Sequence, residues 1–388
     1  MRSGRPDSVG KTDGEKATGQ TAFSKVTFIY EENLFMKRIK RFAIFLITVC
    51  LLPALLSAAG CAGGWTGVNT GNPGAEADGP DKTGGPVVAL AWTNLQTTYS
   101  YTSTIAAIED AGGTPVILDM VRSYDLEYDD RGRLVNACGE HGILSPEASK
   151  KVKINTWQNS NIEEVMEGIN CVVFPGGVDL SPSLYYKEQD WHGVESDNVY
   201  YAERDVSDYI LMDYCLENDI PVLAICRGMQ LLSVVSGAEI AQDIPTWFEE
   251  MGVAYNDEHR DPELKDFTAH GVEVSGEDSL LYQVTGKRTL ENVPSWHHQT
   301  VSGVEGTRLI VTGTTDTNGV PIIEAVERKD KRFCLGVQFH PEVSVRRNVD
   351  GSPDAAALMD YDTAAAFFKA VIEAGQEYEE DRELENAA

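Results

Sequence analysis

The chain is poor in basic residues and in cysteine. It carries 32 Lys and Arg against 61 Asp and Glu over 388 residues, for a formal net charge of −29. Because phosphate backbones are bound by basic surfaces, this charge argues against a nucleic-acid partner. Seven cysteines are too few for a disulfide scaffold in a chain of this length. The 42% hydrophobic content is typical of a folded protein with a core, which excludes wholesale disorder.

The most apolar run, residues 42–56, is shorter than the roughly 20 residues that a bilayer-spanning helix needs. The basic segment 36–41 precedes it, and together they have the pattern of a secretory signal. Ser57-Ala58-Ala59-Gly60-Cys61 follows and resembles a bacterial lipoprotein cleavage box, in which Cys61 would take the lipid. We therefore predict a membrane-anchored lipoprotein outside the cytoplasm. An ordinary secretory signal with an incidental cysteine is the alternative.

Composition divides the chain into five segments. Met36 is predicted to be the true start, because a signal normally begins a chain. The predicted segments are 1–35 (preceding the start, or disordered), 36–61 (lipoprotein-type signal peptide), 62–85 (flexible linker), 86–375 (folded domain with a surface insertion at about 121–161) and 376–388 (acidic, disordered tail).

From residue 86 onward, short apolar runs alternate with helical periods. The predicted strands are residues 87–92, 114–118, 171–174 and 221–225. The predicted helices are residues 101–111, 202–217 and 355–374, whereas residues 247–266 resemble a loop. This alternation predicts an α/β fold with a mostly parallel central sheet and helices on both faces.

Cys226 stands where an apolar strand ends and an amphipathic helix begins. A side chain at that turn projects at the carboxyl edge of the sheet, where open α/β sheets bind ligands. The helix amino terminus beside it favours the nucleophilic thiolate, and Gly228 removes a Cβ where the turn is tight. Cys226 is therefore the predicted nucleophile.

His340 and Glu342 can serve that nucleophile as base and orienting acid. His340 follows an apolar strand, and Pro341 is expected to hold the chain extended, so that both side chains point the same way. Another strand ends in the Gly176-Gly177 turn. The amide of Gly177, with that of Arg227, is predicted to form an oxyanion hole.

At these segments the chain resembles the class I glutamine amidotransferase-like superfamily, and more narrowly the γ-glutamyl-γ-aminobutyrate hydrolase family of γ-glutamyl peptidases. The resemblance covers roughly residues 86–345. The segments that carry it are Pro175-Gly176-Gly177-Val178-Asp179, Arg204-Asp205, Cys226-Arg227-Gly228-Met229-Gln230, His297-His298-Gln299 and His340-Pro341-Glu342.

The resemblance implies a flavodoxin-like three-layer sandwich and a Cys226-His340-Glu342 triad that hydrolyses γ-glutamyl amides through a thioester. It also implies that a small γ-glutamyl substrate contacts the polar residues around the nucleophile, namely Gly176, Gln230, His298 and Gln299. Two features depart from the family pattern: Trp296 stands directly before His297-His298-Gln299, and the predicted insertion is unusually long.

Several alternatives remain open at this stage. The chain could be a lipoprotein that binds amino-acid-like ligands without catalysis, or a glutaminase that supplies ammonia to a partner. The leaving group, a homodimer and pairing among Cys138, Cys171, Cys215 and Cys334 are undetermined. No cofactor and no metal site are predicted, because adjacent histidines on an extended chain point apart and the other histidines show no ligand spacing.

Overall fold

The structure is a computed structural model that describes residues 85–387, apart from 188–190, 192 and 265. The chain divides into two units, Met1–Ala77 and Asp78–Ala388, and every described residue belongs to the second. The predicted start, signal peptide, lipidated Cys61 and nearly all of the linker lie outside the described residues.

A nine-stranded sheet forms the centre of the described unit. Its strands, in chain order, are β1 (Val87–Leu90), β2 (Thr114–Ile117), β3 (Cys171–Phe174), β4 (Val222–Ile225), β6 (Thr268–Val274), β7 (Thr289–Ser295), β9 (Leu309–Thr317), β10 (Val320–Arg328) and β11 (Cys334–Val337). The spatial order is β2-β1-β3-β4-β11-β10-β9-β6-β7. A separate antiparallel pair joins β5 (Glu239–Ala241) to β8 (Thr300–Gly303).

The first five strands of this order are parallel and form the half of the sheet that carries the site. Their order, second-first-third-fourth-fifth along the chain, is that of a flavodoxin-like sheet. Strands β3, β4 and β11 are buried on both faces, which explains why their sequences are continuously apolar. The predicted α/β fold is confirmed.

Helices pack on both faces of the central sheet. They are α1 (Tyr99–Asp110), α2 (Pro146–Asn155), α3 (Ile162–Val165), α4 (Ala202–Glu217), α5 (Arg227–Val235), α6 (Ile244–Met251), α7 (Leu280–Thr285), α8 (Pro341–Val349) and α9 (Tyr361–Ala387). Alternate strand residues feed two cores, because successive side chains point to opposite faces of a sheet. Val172 packs with Ile210 of α4 on one face, and Val173 packs with Val371 of α9 on the other.

The antiparallel half was not predicted from the sequence. Strand β10 pairs antiparallel with both β11 and β9, and β6 joins β9 to β7. Inside this half, β6 alternates buried and exposed residues, as expected for a strand with one face against the core. These strands continue the central sheet beyond β11.

Three sequence predictions need correction. The segment 121–161 is not a surface insertion, since it contains α2 and contributes buried Leu144 and Val152 to the core. The segment 247–266 is not all loop, because α6 extends into it. The acidic tail is the end of α9. Tyr378 there packs on the core, and Asp381 forms an ion pair with Arg332 at 2.9 Å.

No helix in the described part of the chain is both long and apolar enough to cross a membrane. All five cysteines of the described residues (Cys138, Cys171, Cys215, Cys226 and Cys334) are free thiols, so none of the possible pairings among them is formed.

Candidate active site

Cys226 occupies a strained turn between β4 and α5. Its φ of 52° lies in the left-handed region, where a residue with a Cβ is rarely held without support from its surroundings. Its N–H donates to the carbonyl oxygen of Val337 at 2.7 Å, which ties the turn to β11. The turn also requires Gly228, since a Cβ there would lie 2.3 Å from the carbonyl oxygen of Phe174. The predicted elbow is confirmed.

His340 and Glu342 lie just beyond the next strand of the sheet. His340 Nδ1 is 2.7 Å from Glu342 Oε1, and both side chains are buried. The His340 N–H donates to the carbonyl oxygen of Pro294 at 2.8 Å, which fixes the backbone of the histidine. The expected pairing is present, but not for the expected reason: Pro341 begins α8 instead of extending the chain. Proline suits this first helical position because it needs no N–H there.

Gly176 lies where the side chains of Cys226 and His340 come together. A Cβ at this glycine would lie 2.9 Å from His340 Cε1 and 3.6 Å from Cys226 Cβ, so only a glycine fits between the two side chains. His340 Nε2, the imidazole nitrogen that does not face Glu342, is buried without a partner within hydrogen-bond criteria. The histidine is therefore oriented by its acid through Nδ1, with Nε2 left available on the cysteine side.

The environment of His340 favours its protonated form. Burial alone would lower the pKa of the imidazole, but the negative charges of Glu342 and Cys226 outweigh burial and raise this pKa to about 10. An imidazolium beside a thiolate is the resting ion pair expected of a cysteine nucleophile with a histidine base.

Gly177 and Arg227, the predicted oxyanion donors, are neighbours in space. A Cβ at Gly177 would lie 3.4 Å from Arg227 Cδ. Arg204 supports the turn from behind, since its Nη2 donates to the carbonyl oxygens of Pro175 at 2.9 Å and Gly176 at 3.2 Å. The role of the two amides stays a prediction.

The Arg227 side chain points away from the pocket into a buried ionic network. It donates through Nη2 to Asp205 at 2.7 Å and through Nη1 to Asp208 at 2.5 Å. Asp205 also accepts from the N–H and hydroxyl of Ser181, and Asp208 accepts from Arg204 Nε at 3.1 Å. The network joins α4 to the elbow. Of its members, Arg204, Asp205 and Arg227 were singled out from the sequence, whereas Ser181 and Asp208 were not.

A pocket of about 510 Å³ opens above the nucleophile. Its lining residues are Ser100, Gly177, Val178, Asp179, Ser196, Asp197, Val199, Cys226, Gln230, Arg260, Phe267, Trp296, His297, His298, Gln299 and His340. Of the predicted substrate contacts, Gln230, His298 and Gln299 line this pocket, whereas Gly176 lies behind it against the catalytic pair.

His298 is held between acids on one side of the pocket. Its Nε2 lies 3.2 Å from Asp179 Oδ1, and its Nδ1 lies 3.3 Å from Asp243 Oδ1. Burial would lower the pKa of His298, but these carboxylates raise it to about 9, so the ring is a cation at neutral pH. Gln299 Nε2 donates to Asp179 at 2.9 Å, and Arg260 pairs with Asp197 at 2.6 Å.

Sequence reasoning assigned no role to the pocket acids or to Arg260. Asp179 stands in the quoted Gly-Gly segment and could have been found as the polar residue that follows its turn. Asp197, Asp243 and Arg260 come from loops far apart in the chain, and no local pattern marks them.

Aromatic rings form the mouth of the pocket. Phe267 contacts His340 edge to face with centroids 5.1 Å apart, and it also contacts Trp296 at 6.4 Å. Trp296 is 38% exposed. A second open groove of about 780 Å³ shares Ser100, Phe267 and Trp296 with the pocket. Trp296, which departs from the family pattern, thus lies at one end of the pocket.

Two groups of described residues could hold a cation. One is Asp197, Asp243 and His298 in the pocket, where the histidine already pairs with carboxylates. The other, behind the pocket, comprises His259, His270, His297 and Glu324, all buried. Spacing along the chain indicated neither group.

Comparisons with known proteins agree with this geometry. The family model of Peptidase C26 matches residues 151–342, a range that contains Cys226, His340 and Glu342. A γ-glutamyl-γ-aminobutyrate hydrolase of Escherichia coli O157:H7 is 31% identical over 189 residues, which cover 47% of this chain and 68% of that protein. Protein NtpR of Enterococcus hirae is 28% identical over 274 residues, which cover 68% of this chain and 93% of that protein.

Among solved structures, the Trypanosoma brucei CTPS glutaminase domain with bound acivicin aligns over 75% of this chain and 94% of that domain. Its TM-score is 0.43 and its sequence identity is 17%. The family match and the sequence relatives together assign the chain: it belongs to the Peptidase C26 family of class I glutamine amidotransferase-like hydrolases.

Proposed function

We propose that the protein hydrolyses γ-glutamyl amide bonds through a thioester on Cys226. The observation that carries this proposal is that Cys226 and His340 meet beside Gly176, with Glu342 bound to His340, at a pocket lined by charged and amide side chains. A relative with the printed name γ-glutamyl-γ-aminobutyrate hydrolase supports the choice of bond.

The reaction would proceed in two steps. The Cys226 thiolate attacks the γ-carbonyl carbon, and the displaced electron pair of the C=O bond resides on an oxyanion held by the N–H groups of Gly177 and Arg227. Collapse of this intermediate breaks the C–N bond, and His340 gives its proton to the leaving amine. Water then loses a proton to His340 and attacks the thioester, which releases glutamate and restores the thiolate.

The pocket charges suit the α-amino-acid end of a γ-glutamyl group. The His298 imidazolium and Arg260 can attract the α-carboxylate, while Asp179 and Asp197 can attract the α-ammonium group. A substrate held by these groups presents its γ-carbonyl to Cys226. The leaving amine would then lie toward Phe267 and Trp296.

The test is a panel of amides incubated with the purified protein, with products identified by mass spectrometry. We expect release of glutamate from γ-glutamyl peptides and γ-glutamyl-γ-aminobutyrate, and no release from the matched α-glutamyl isomers. A covalent glutamyl adduct on the peptide that contains Cys226, trapped by acid quenching, would confirm the thioester. Hydrolysis of free glutamine alone would favour the glutaminase alternative, and no turnover of any panel member would contradict the proposal.

Activity should be lost at alkaline pH, and the pH at which it is lost should depend on Glu342. Because the pKa of His340 is raised to about 10, the imidazolium persists through neutral pH and is lost as the pH rises through that value. Above it the leaving amine has no proton donor, so kcat/KM should fall. Glu342→Gln removes a charge that raises this pKa and should move the alkaline limb to lower pH. Circular dichroism across the same range controls for unfolding, and an unmoved limb would contradict the role of Glu342.

We also propose that the protein is a lipoprotein anchored through Cys61 outside the cytoplasm. The support is the basic segment 36–41, the apolar run 42–56 and the small residues before Cys61. Bacteria that express the full chain with radiolabelled palmitate should yield a labelled protein, and Cys61→Ser should lose the label. Cys50→Ser is the matched control that should keep it. Absence of label from the unmodified chain would contradict the anchor.

A further inference from the structure

The group His259, His270, His297 and Glu324 is a candidate ligand set that the proposed hydrolysis does not use. Its members come from distant parts of the chain: the loop after α6, strand β6, the loop between β7 and β8, and strand β10. All four side chains are buried, and one potential ligand atom from each lies within 4.8 Å of the others. Buried charge of this kind needs compensation, because a carboxylate in the interior is costly without cationic partners.

Hydrogen bonds outside the group set the tautomers of two of these histidines. His270 Nδ1 lies 3.1 Å from the carbonyl oxygen of Gly271, and His297 Nδ1 lies 2.9 Å from that of Gln299. A carbonyl oxygen can only accept, so each Nδ1 carries the hydrogen. In the neutral rings, both Nε2 atoms therefore direct lone pairs into the group. A backbone carbonyl behind the ring is the usual arrangement around a metal-bound histidine.

The third histidine faces the group through its other ring nitrogen. His259 Nδ1 lies inside the group, and its Nε2 lies 3.6 Å from the carboxylate of Glu258 outside it, without a hydrogen bond. Inside the group, His297 Nε2 and both carboxylate oxygens of Glu324 are buried without a partner within hydrogen-bond criteria. Ring nitrogens of three histidines and the carboxylate of Glu324 thus converge within 4.8 Å of one another.

The separations inside the group suit a tetrahedral ion. His259 Nδ1 lies 3.1 Å from His270 Nε2 and 3.2 Å from Glu324 Oε1, and His297 Nε2 lies 3.5 Å from the same oxygen. Four ligands placed tetrahedrally about 2.0–2.2 Å from a zinc ion are separated by about 3.3–3.6 Å.

We propose that His259, His270, His297 and Glu324 form a closed, structural site for Zn²⁺. The site is distinct from the triad, and all four positions are filled by protein, so it leaves no position open for a substrate. A bound ion would connect β6 and β10 to the loop that contains His298 and Gln299. The ion would therefore stabilise the fold and the glutamyl-binding side of the pocket without taking part in bond cleavage.

The experiment begins with metal analysis of the full-length protein purified without a polyhistidine tag. We expect about one zinc per chain by plasma mass spectrometry, retained through dialysis and also present in Cys226→Ala. Chelation should lower the melting temperature by about 5 °C or more, and added ZnCl₂, but not MgCl₂, should restore it. Cobalt substitution should give the visible spectrum of a tetrahedral nitrogen and oxygen site without a thiolate charge-transfer band.

Two variants assign the metal to these residues. Glu324→Gln and His270→Gln should each lose the zinc, whereas His141→Gln, at an exposed histidine, should keep it. Circular dichroism shows whether each variant folds, and the chelation, reconstitution and cobalt measurements on the unmodified chain stand even if a variant does not. A folded, unmodified protein that holds no zinc as purified or after incubation with ZnCl₂ would overturn the proposal. So would zinc that remains bound at one per chain in both ligand variants.

Discussion

Cys226→Ala is expected to lower the rate of γ-glutamyl hydrolysis by about 10³-fold or more, to the background of the assay. The variant removes the sulfur that forms the thioester, while the pocket and its charges stay in place. The melting temperature should change little, because the side chain is small and lies at the surface of the pocket. Substrate binding, measured by calorimetry, should therefore persist.

Cys138→Ala is the matched control for this variant. Cys138 is the exposed free thiol of the described residues, yet burial of its sulfur and nearby Glu203 and Asp205 raise its pKa to about 11. It should therefore be a poor nucleophile at neutral pH, and its loss should leave activity unchanged. Iodoacetamide should modify Cys226 first and inactivate the protein in proportion. Full activity of Cys226→Ala, or an unreactive Cys226, would instead support a non-catalytic binding protein.

Arg227→Leu should lower the free energy of unfolding by about 3–5 kcal/mol, the usual effect of removing one partner from a buried ionic network. Arg227 is buried and bridges Asp205 and Asp208 through separate nitrogens. With leucine there, Asp205 Oδ1 loses its charged donor, and Asp208 keeps only Arg204. Two carboxylates would then remain in the interior with one guanidinium.

Urea unfolding followed by circular dichroism measures this effect, and Arg308→Leu is its control. Arg308 pairs with Asp330 at 3.3 Å but is 76% exposed, so its loss should hardly change the midpoint. Arg227→Lys should recover part of the stability, because one ammonium cannot serve both carboxylates with the geometry of a guanidinium fork. A change below about 1 kcal/mol in Arg227→Leu would show that the network contributes little to stability.

Local sequence was sufficient to place Cys226, His340 and Glu342 on the fold. The continuous apolar runs of β3 and β4 predicted strands buried on both faces, and the helical period after Cys226 predicted the elbow. Each of these features depends on residues close together in the chain, whose preferences are read from a short window. The flavodoxin-like order followed from resemblance, and the strand pairing confirms it.

Local sequence patterns gave wrong predictions where a segment is stabilised by contacts with distant parts of the chain. The segment 121–161 is polar along its length, but a few apolar residues such as Leu144 are buried under α4. The acidic tail has no apolar period, yet α9 continues because Tyr378 finds a packing surface and Asp381 finds Arg332. In both places the local structure is stabilised by contacts between residues that lie far apart in the sequence.

The sequence by itself determined the α/β class, the strand-to-helix turn at Cys226 and the position of His340 and Glu342 after a strand, because strand ends and helix starts are local features. Only the tertiary structure decided that Cys226 and His340 meet beside Gly176 and that Arg227 bridges two buried acids. It also decided that three histidines meet at Glu324. Their positions in the chain are unrelated, and only sheet pairing and loop packing bring these side chains within a few ångströms.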